Sequence, residues 1–475
     1  MCFDPGVPQP PPSPPPSYEE LAAENAQLKT VLAQALARIG DLEARLGMTS
    51  KNSGKPPSSD GLAKPAPKSL RGKSPRGPGR PKGQPGTTLR QVEVPDHEIA
   101  HEPTVCCGCD ADLHDAPAVG MERRQVFDLP PLHLEVTEHQ LISRACTCGT
   151  VTKADAPAGV AAPVQYGPRL AGMGVYLFHG QFLSKSRTVQ ALADLFGVAV
   201  AAATLVAWTT RIAAQVTTKV IAVIRDRIAG SAVAHFDETG FRTAGRLHWM
   251  HSASTSTDVL LTVHPRRGVK GMDAAGVLPR FGGVAVHDAW APYDTYTGLT
   301  HALCNAHALR ELVYVVDTAP THVADLATQA IDAMIKLKEL IDQAHDHGRK
   351  PNIKAVRARQ RLLRSAVVLG KTATAARSTK LERKHHALFS RLIVRWQDYQ
   401  RFTTDPEIPW DNNPAEQTIR MPKLRIKVSG CLRTLSGAEE FAAIRSYTAT
   451  AVRHGQNMLD VLIQAADSHP WIPAT

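Results

Sequence analysis

Residues 231–288 constrain the fold more than any other stretch of this chain. Segments 231–236, 247–254 and 259–264 read as strands, a short helix follows to Phe281, and 283–286 is a fourth apolar strand running directly into His287 and Asp288. Apolar runs of strand length separated by a helical stretch predict an α/β layer with these strands in one sheet. The first strand also runs into an acid, Asp237.

Strand, strand, strand, helix, strand is the order of a ribonuclease H-like core. In that fold the first strand lies centrally beside the fourth, so Asp237 and Asp288 are expected to converge. A third acid is then expected on a helix that follows a further strand. Residues 410–420 meet that demand, with Asn413 as the expected N-cap, Pro414 the first helical residue and Glu416 the third. A Glu at that position can instead simply bond back to the capping residue, so the local sequence leaves both roles open. Asp411 is the rival acid, able to cap the helix or reach a metal, and capping is the preferred reading. Glu238 adjoins Asp237 but faces the other way on a continuing strand, which predicts a surface or supporting group.

Three converging acids meet the minimum for two-metal phosphoryl transfer, in which ions about 3.5–4 Å apart serve the attacking and the leaving oxygen. Magnesium suits such sites because it takes oxygen ligands and keeps exchangeable waters. Manganese is expected to substitute. Cys304-x2-His307 has ligand spacing, but as an isolated pair at a strand-to-helix junction it reads as packing and hydrogen bonding.

Charge narrows the partner. The formal net charge is +11, and residues 50–90 hold ten Lys and Arg against the single acid Asp60. A cationic block gains affinity for a polyanion through counterion release, which points to nucleic acid. Residues 49–90 contain eight prolines and seven glycines with almost no large apolar side chains. Such a segment cannot offset its ordering entropy and reads as a flexible linker. Within it Gly79, Arg80, Pro81 and Lys82 resemble an AT-hook core, and Arg76, Arg80 and Lys82 are candidate DNA contacts. Further candidates are Arg420, Lys423, Arg425 and Lys427, which with Arg433 follow Glu416 without an intervening acid. Arg420, one turn after Glu416, is equally placed to orient that carboxylate. No apolar run is long enough to span a bilayer, and residues 1–17, with eight prolines, do not read as a signal peptide. A cytoplasmic protein is expected.

Leu21, Leu28, Ala35 and Leu42 fall on one heptad position, and Asn25, Leu32, Ile39 and Leu46 on the other. This pattern predicts a short coiled coil and a homo-oligomer, a dimer first, since an Asn in the seam demands a partner. Cys106-x2-Cys109 and Cys146-x-Cys148 supply two thiol pairs, the composition of a structural zinc site in a small β unit. Alternation over residues 132–142 predicts one of its strands. Residues 163–230 read as helices, with 197–210 resembling the turn and second helix of a helix-turn-helix.

The residues His235-Phe236-Asp237-Glu238-Thr239-Gly240, Val286-His287-Asp288-Ala289-Trp290 with Tyr293-Asp294, His301-x2-Cys304-Asn305-Ala306-His307-x2-Arg310-Glu311-Leu312, and Asp411-Asn412-Asn413-x2-Glu416-x3-Arg420 resemble the successive signatures of insertion sequence 66 family transposases. The similarity extends over residues 18–465, with 21–46 resembling that family's zipper, 51–60 its linker and the cysteine pairs its zinc-binding domain. It implies a bacterial, nucleoid-associated DDE transposase whose catalytic, magnesium-binding acids are Asp237, Asp288 and Glu416. The long separation of Asp288 from Glu416 is then explained by a helical insertion. Glu416 is followed by Gln417 where the family often has Arg, and the second cysteine pair is compact.

The expected organisation is a proline-rich 1–17, a coiled coil 18–48, a basic disordered linker 49–91, a zinc-binding β module 92–152 and a helical DNA-binding region 163–230. A ribonuclease H-like core 231–430 with helical insertion 306–402 and a helical C-terminal region 431–475 complete it. The expected activity is cleavage of element ends and transfer of the 3′ strand to target DNA. Terminal inverted repeats and target DNA would be partners, and the family adds small accessory proteins. The rivals are a domesticated, catalytically silent DNA-binding protein and a ribonuclease H-like nuclease or resolvase.

Overall fold

The computed structural model describes residues 17–48, 89–130 and 132–474. The linker candidates Arg76, Arg80 and Lys82, and the proline-rich start, lie outside the described residues. Lys64–Thr137 with Leu195–Gly197 forms one unit and the rest of the chain another. In the smaller unit, Gln125 brackets Val92 with two side-chain bonds of 2.8 Å, and Arg123 donates to the carbonyls of Val92 and Glu93.

The larger unit opens with α1 (Tyr18–Leu46) and a small hairpin, β1 (Ser143–Ala145) and β2 (Val151–Lys153). Helices α2 (Pro168–Val175), α3 (Lys185–Phe196), α4 (Ala202–Lys219) and α5 (Ile221–Ala229) follow. Next come β3 (Val233–Thr243), β4 (Arg246–Ser254), β5 (Val259–His264), α6 (Val269–Ala275), β6 (Val284–His287) and β7 (Thr300–Leu303). After the sheet run α7 (Asn305–Thr318), α8 (Thr321–Asp346), α9 (Ile353–Ala373), α10 (Lys380–Val394) and α11 (Trp396–Gln400). The chain closes with α12 (Asn413–Ser429), α13 (Leu435–Arg453) and α14 (Met458–Ala466).

The five large strands form one mixed sheet in the order β5-β4-β3-β6-β7. β4 runs antiparallel to both β3 and β5, while β6 and β7 run parallel to β3. β3 runs past the 231–236 read from its apolar residues, because its outer half pairs with β4 through a two-residue turn. There Ala244 and Gly245 both take positive φ, matching the twist of the two strands. β5 is an edge strand, and α13 covers it: Ser446 Oγ accepts from Leu261 N at 2.8 Å and Thr450 Oγ1 from Val259 N at 3.0 Å. Edge amides that would invite another chain are thereby used up. Met250, Val259 and Leu261 pack there against Phe441 and Ala442.

Helices α7 to α10 enclose a second core of Leu312, Met334, Leu363 and Phe389. Gly370 of α9 lies against Phe389 so closely that a Cβ would come within 2.5 Å of the ring. Residues 132–142 form no strand among the described residues, and Leu132, Val136 and Ile142 are exposed. Alternation alone makes no ladder without a neighbour to pair with. No described helix is long and apolar enough to cross a membrane.

Candidate active site

Parallel pairing joins Val233 to Val284, Ala234 to Ala285 and His235 to Val286. The ladder ends two residues before Asp237 on β3 and two before Asp288, which directly follows β6. Each carboxylate is steadied by a nearby amide. Asp237 Oδ1 accepts from Glu238 N at 2.8 Å, and Asp288 Oδ1 from Trp290 N at 3.1 Å.

Glu416 arrives from α12, whose start is tied to the sheet by side chains that sequence patterning does not reveal. The N-cap is Asn412, one residue earlier than expected, and its side chain makes no cap bond. Instead Asn412 Nδ2 donates to the Phe236 carbonyl and its Oδ1 pairs with His235 Nδ1, both at 2.8 Å. Asn412 N donates to Cys304 Sγ at 3.2 Å, and Asn305 bonds the Trp410 carbonyl through both its backbone and side-chain nitrogens. Asp411 accepts from Asn413 N at 3.0 Å, the capping role. Glu416 makes no bond back to a cap. Its two oxygens meet Arg310 Nη2 at 3.2 Å and Arg420 Nη2 at 3.0 Å.

The acids feel one another. Burial, then the neighbouring charges of Glu238, Asp288 and Glu416, raise the Asp237 carboxyl well above the usual range. Carboxylates that raise one another's pKa form an environment that a hard divalent cation reverses, so their chemistry is compatible with such an ion. Burial keeps His307 neutral, with its pKa pushed down to about 4, 3.9 Å from Glu416. Lys423 lies within electrostatic reach of Asp237 and Glu416.

The model of the family described as Transposase IS66 family matches residues 163–440, the stretch that contains all of this geometry. The chain belongs to the IS66 transposase family. A family of unknown function (DUF6444) matches residues 8–90. No curated protein matches the chain.

Of the two roles expected for Glu238, surface or supporting, the structure gives it the second. It is buried, Arg267 donates to its Oε1 from two nitrogens at 2.9 and 2.7 Å, and Tyr293 OH donates to Oε2 at 2.8 Å. Burial and the Asp288 charge outweigh Arg267 and push its pKa up to about 7. Arg267 itself stacks over Trp290 at 3.8 Å and Trp249 at 5.1 Å. The rest of this IS66 chain's candidates divide in the same way between available and enclosed.

Arg420 and Lys427 are exposed and share a helical face with Lys423. Arg425 points the other way and is only 6% exposed. Its guanidinium lies 5.7 Å from the rings of Phe178 and Phe441 and donates to the Gly430 carbonyl, so it packs the interior and cannot meet DNA. Cys304, His307 and Glu416 do bring ligand atoms within 4.8 Å of one another. Burial pushes the Cys304 thiol up to about 12, however, which suits a neutral thiol accepting the Asn412 amide.

Each zinc-candidate pair sits in its own turn. Around Cys106 and Cys109 the Asp110 amide bonds the Cys106 carbonyl, and backbone amides lower the Cys106 thiol. In the hairpin between β1 and β2, hydrogen bonds from Thr150 and Cys146 lower Cys148 to about 7. On α1, Ser17 and Glu20 form a reciprocal cap. Leu21, Leu28, Leu32, Ile39, Leu42 and Leu46 remain between 47% and 84% exposed.

Proposed function

We propose that this chain is a DDE-type DNA transposase built on a ribonuclease H-like core, with Asp237, Asp288 and Glu416 as its catalytic acids. The observation that carries the reading is that the charges of Asp288, just past the strand parallel to β3, and of Glu416 both raise the Asp237 carboxyl. The sheet order, three antiparallel strands followed by two parallel ones, supports the core assignment.

Magnesium ions held by the three acids would supply Lewis acidity to the attacking and leaving oxygens of a phosphodiester exchange. The chain's own groups do the rest. Backbone amides of Glu238 and Trp290 steady the two aspartates, Arg310 and Arg420 each hold one Glu416 oxygen, and Lys423 offers a cation to the phosphate. Water first and a 3′ hydroxyl second are the nucleophiles, attacking in line, and no covalent intermediate with the protein is required. Arg420 and Lys427 extend the cationic face along the DNA backbone.

Two further parts belong to this proposal. The exposed leucines of α1 support a coiled-coil dimer. The lowered thiols of Cys106 and Cys148 support zinc-ligand roles for the pairs Cys106 with Cys109 and Cys146 with Cys148, since the thiolate is the ligand form. Elemental analysis of the purified chain tests the metal, with loss of zinc expected when these cysteines become serine.

The activity is tested by incubating the full chain with a labelled terminal-repeat end, a plasmid and magnesium. Strand transfer is expected. Cutting of four-way junctions instead would favour a resolvase, and binding without cleavage a domesticated DNA-binding protein.

A further inference from the structure

α9 carries six cations and no acid in its 21 residues, whereas α8, packed beside it, carries five acids and two Lys. Lys354, Arg357, Arg361 and Arg364 recur at intervals of three and four, so they line one face of the helix. All four are exposed. The opposite face, with Val356, Leu363, Val367 and Gly370, is the one buried. Ordinary solvated helix faces mix signs and pair them within a turn, as Lys338 and Asp342 do on α8. Among the described residues none of the four α9 cations has an ion-pair partner. Arg359, by contrast, lines a cleft with Asp325 and Asp332 of α8. The α8 acids Asp325 and Asp332 thus line a cleft that holds Lys336 and Arg359 and none of the four stripe cations.

We propose that this face of α9 is a docking surface for the phosphate backbone of duplex DNA, so that the helices between β7 and α12 grip the substrate as well as fill space. This rests on the DNA-processing reading above. The stripe from Lys354 to Arg364 is about 15 Å long at 1.5 Å per residue. Duplex DNA presents one negative charge per about 1.7 Å of axis, so a stripe of this length faces several phosphates at once. The guanidinium of Arg364 is also braced 5.3 Å above the Trp396 ring, which limits the side-chain freedom given up on binding.

The test uses the full chain and a mixed-sequence DNA duplex, with affinity measured across a series of salt concentrations. The variant carries Lys354→Gln, Arg357→Gln, Arg361→Gln and Arg364→Gln together, because Gln preserves helix propensity. Each cation removed from a phosphate should make the log-affinity against log-salt slope shallower by about 0.9, up to about 3.6 for four. Should that variant melt early, Lys354→Gln with Arg357→Gln, at the exposed start of the helix, should show up to about half the change. A slope and affinity unchanged from wild type in a folded variant would overturn the docking surface alone. If the wild-type chain bound no duplex at all, the DNA-processing reading would fall with it.

Discussion

Asp237 lies within β3 and Asp288 directly follows β6, two neighbouring parallel strands, whereas Glu416 comes from a helix tied down by Asn412, Cys304 and two arginines. The first arrangement is backbone geometry and survives the loss of any one side chain. The second depends on a chain of side-chain interactions, so it can be loosened without unfolding the sheet. Two acids are therefore built in, and the third is adjustable.

The largest expected effect tests the built-in pair. Replacing Asp237 or Asp288 with Asn should reduce magnesium-dependent cleavage by about a thousandfold or more, since metal-assisted charge stabilisation contributes several kcal/mol and a decade is about 1.4 kcal/mol. DNA binding, measured alongside, should persist. Equal loss of binding would point to a folding defect instead.

Next comes a pH effect confined to the sheet side. Glu238 has a folded pKa raised from 4.5 to about 7, so its stabilising contribution is complete below the unfolded value and is lost as pH rises through 7. Metal-free protein should melt at a lower temperature at pH 8 than at pH 5, and Glu238→Gln should flatten that difference by on the order of 3 kcal/mol at most. A wild-type melting temperature that rises over this interval would contradict the burial of Glu238 as the cause.

Smaller effects are expected on the helix side. Asn412→Ala leaves His235 Nδ1 and the Phe236 carbonyl without their partner, at about 1–3 kcal/mol for each buried group, and should lower both stability and cleavage. Arg310→Gln removes one of two cations on Glu416 and should slow cleavage by about tenfold, roughly 1.4 kcal/mol, with little change in melting. If Arg310→Gln proved as damaging as Asp288→Asn, the distinction between fixed and adjustable acids would fail. Smallest in energy, Leu28→Asp with Ile39→Asp should shift the full chain toward monomer in sedimentation while leaving its melting unchanged.

The order of strands and helix was legible from apolar runs, and the pairing of the first large strand with the fourth from the ribonuclease H-like order they spell. Glu416 was legible as an acid at a helix start, but its freedom from capping was not, since Arg310 lies 106 residues away in the chain. The same distance problem left Glu238 open between surface and supporting roles, since its burial involves Arg267 and Tyr293, and it hid Arg425, whose position in a basic run concealed rings contributed by Phe178 and Phe441. Asn412 had no role of its own in an Asp-Asn-Asn-Pro run where Asn413 was the expected cap. Only the fold shows it as a strut between α12 and β3. Local pattern reveals which residues carry charge, and long-range packing decides which of those charges are free.

The central claim is that all three acids hold the same metals. Manganese titration of the full chain, followed by paramagnetic resonance, measures this directly. Asp237→Asn and Glu416→Gln are each expected to weaken manganese binding. Wild-type binding in Glu416→Gln would contradict the claim, leaving Glu416 as an arginine-paired residue at the start of a helix.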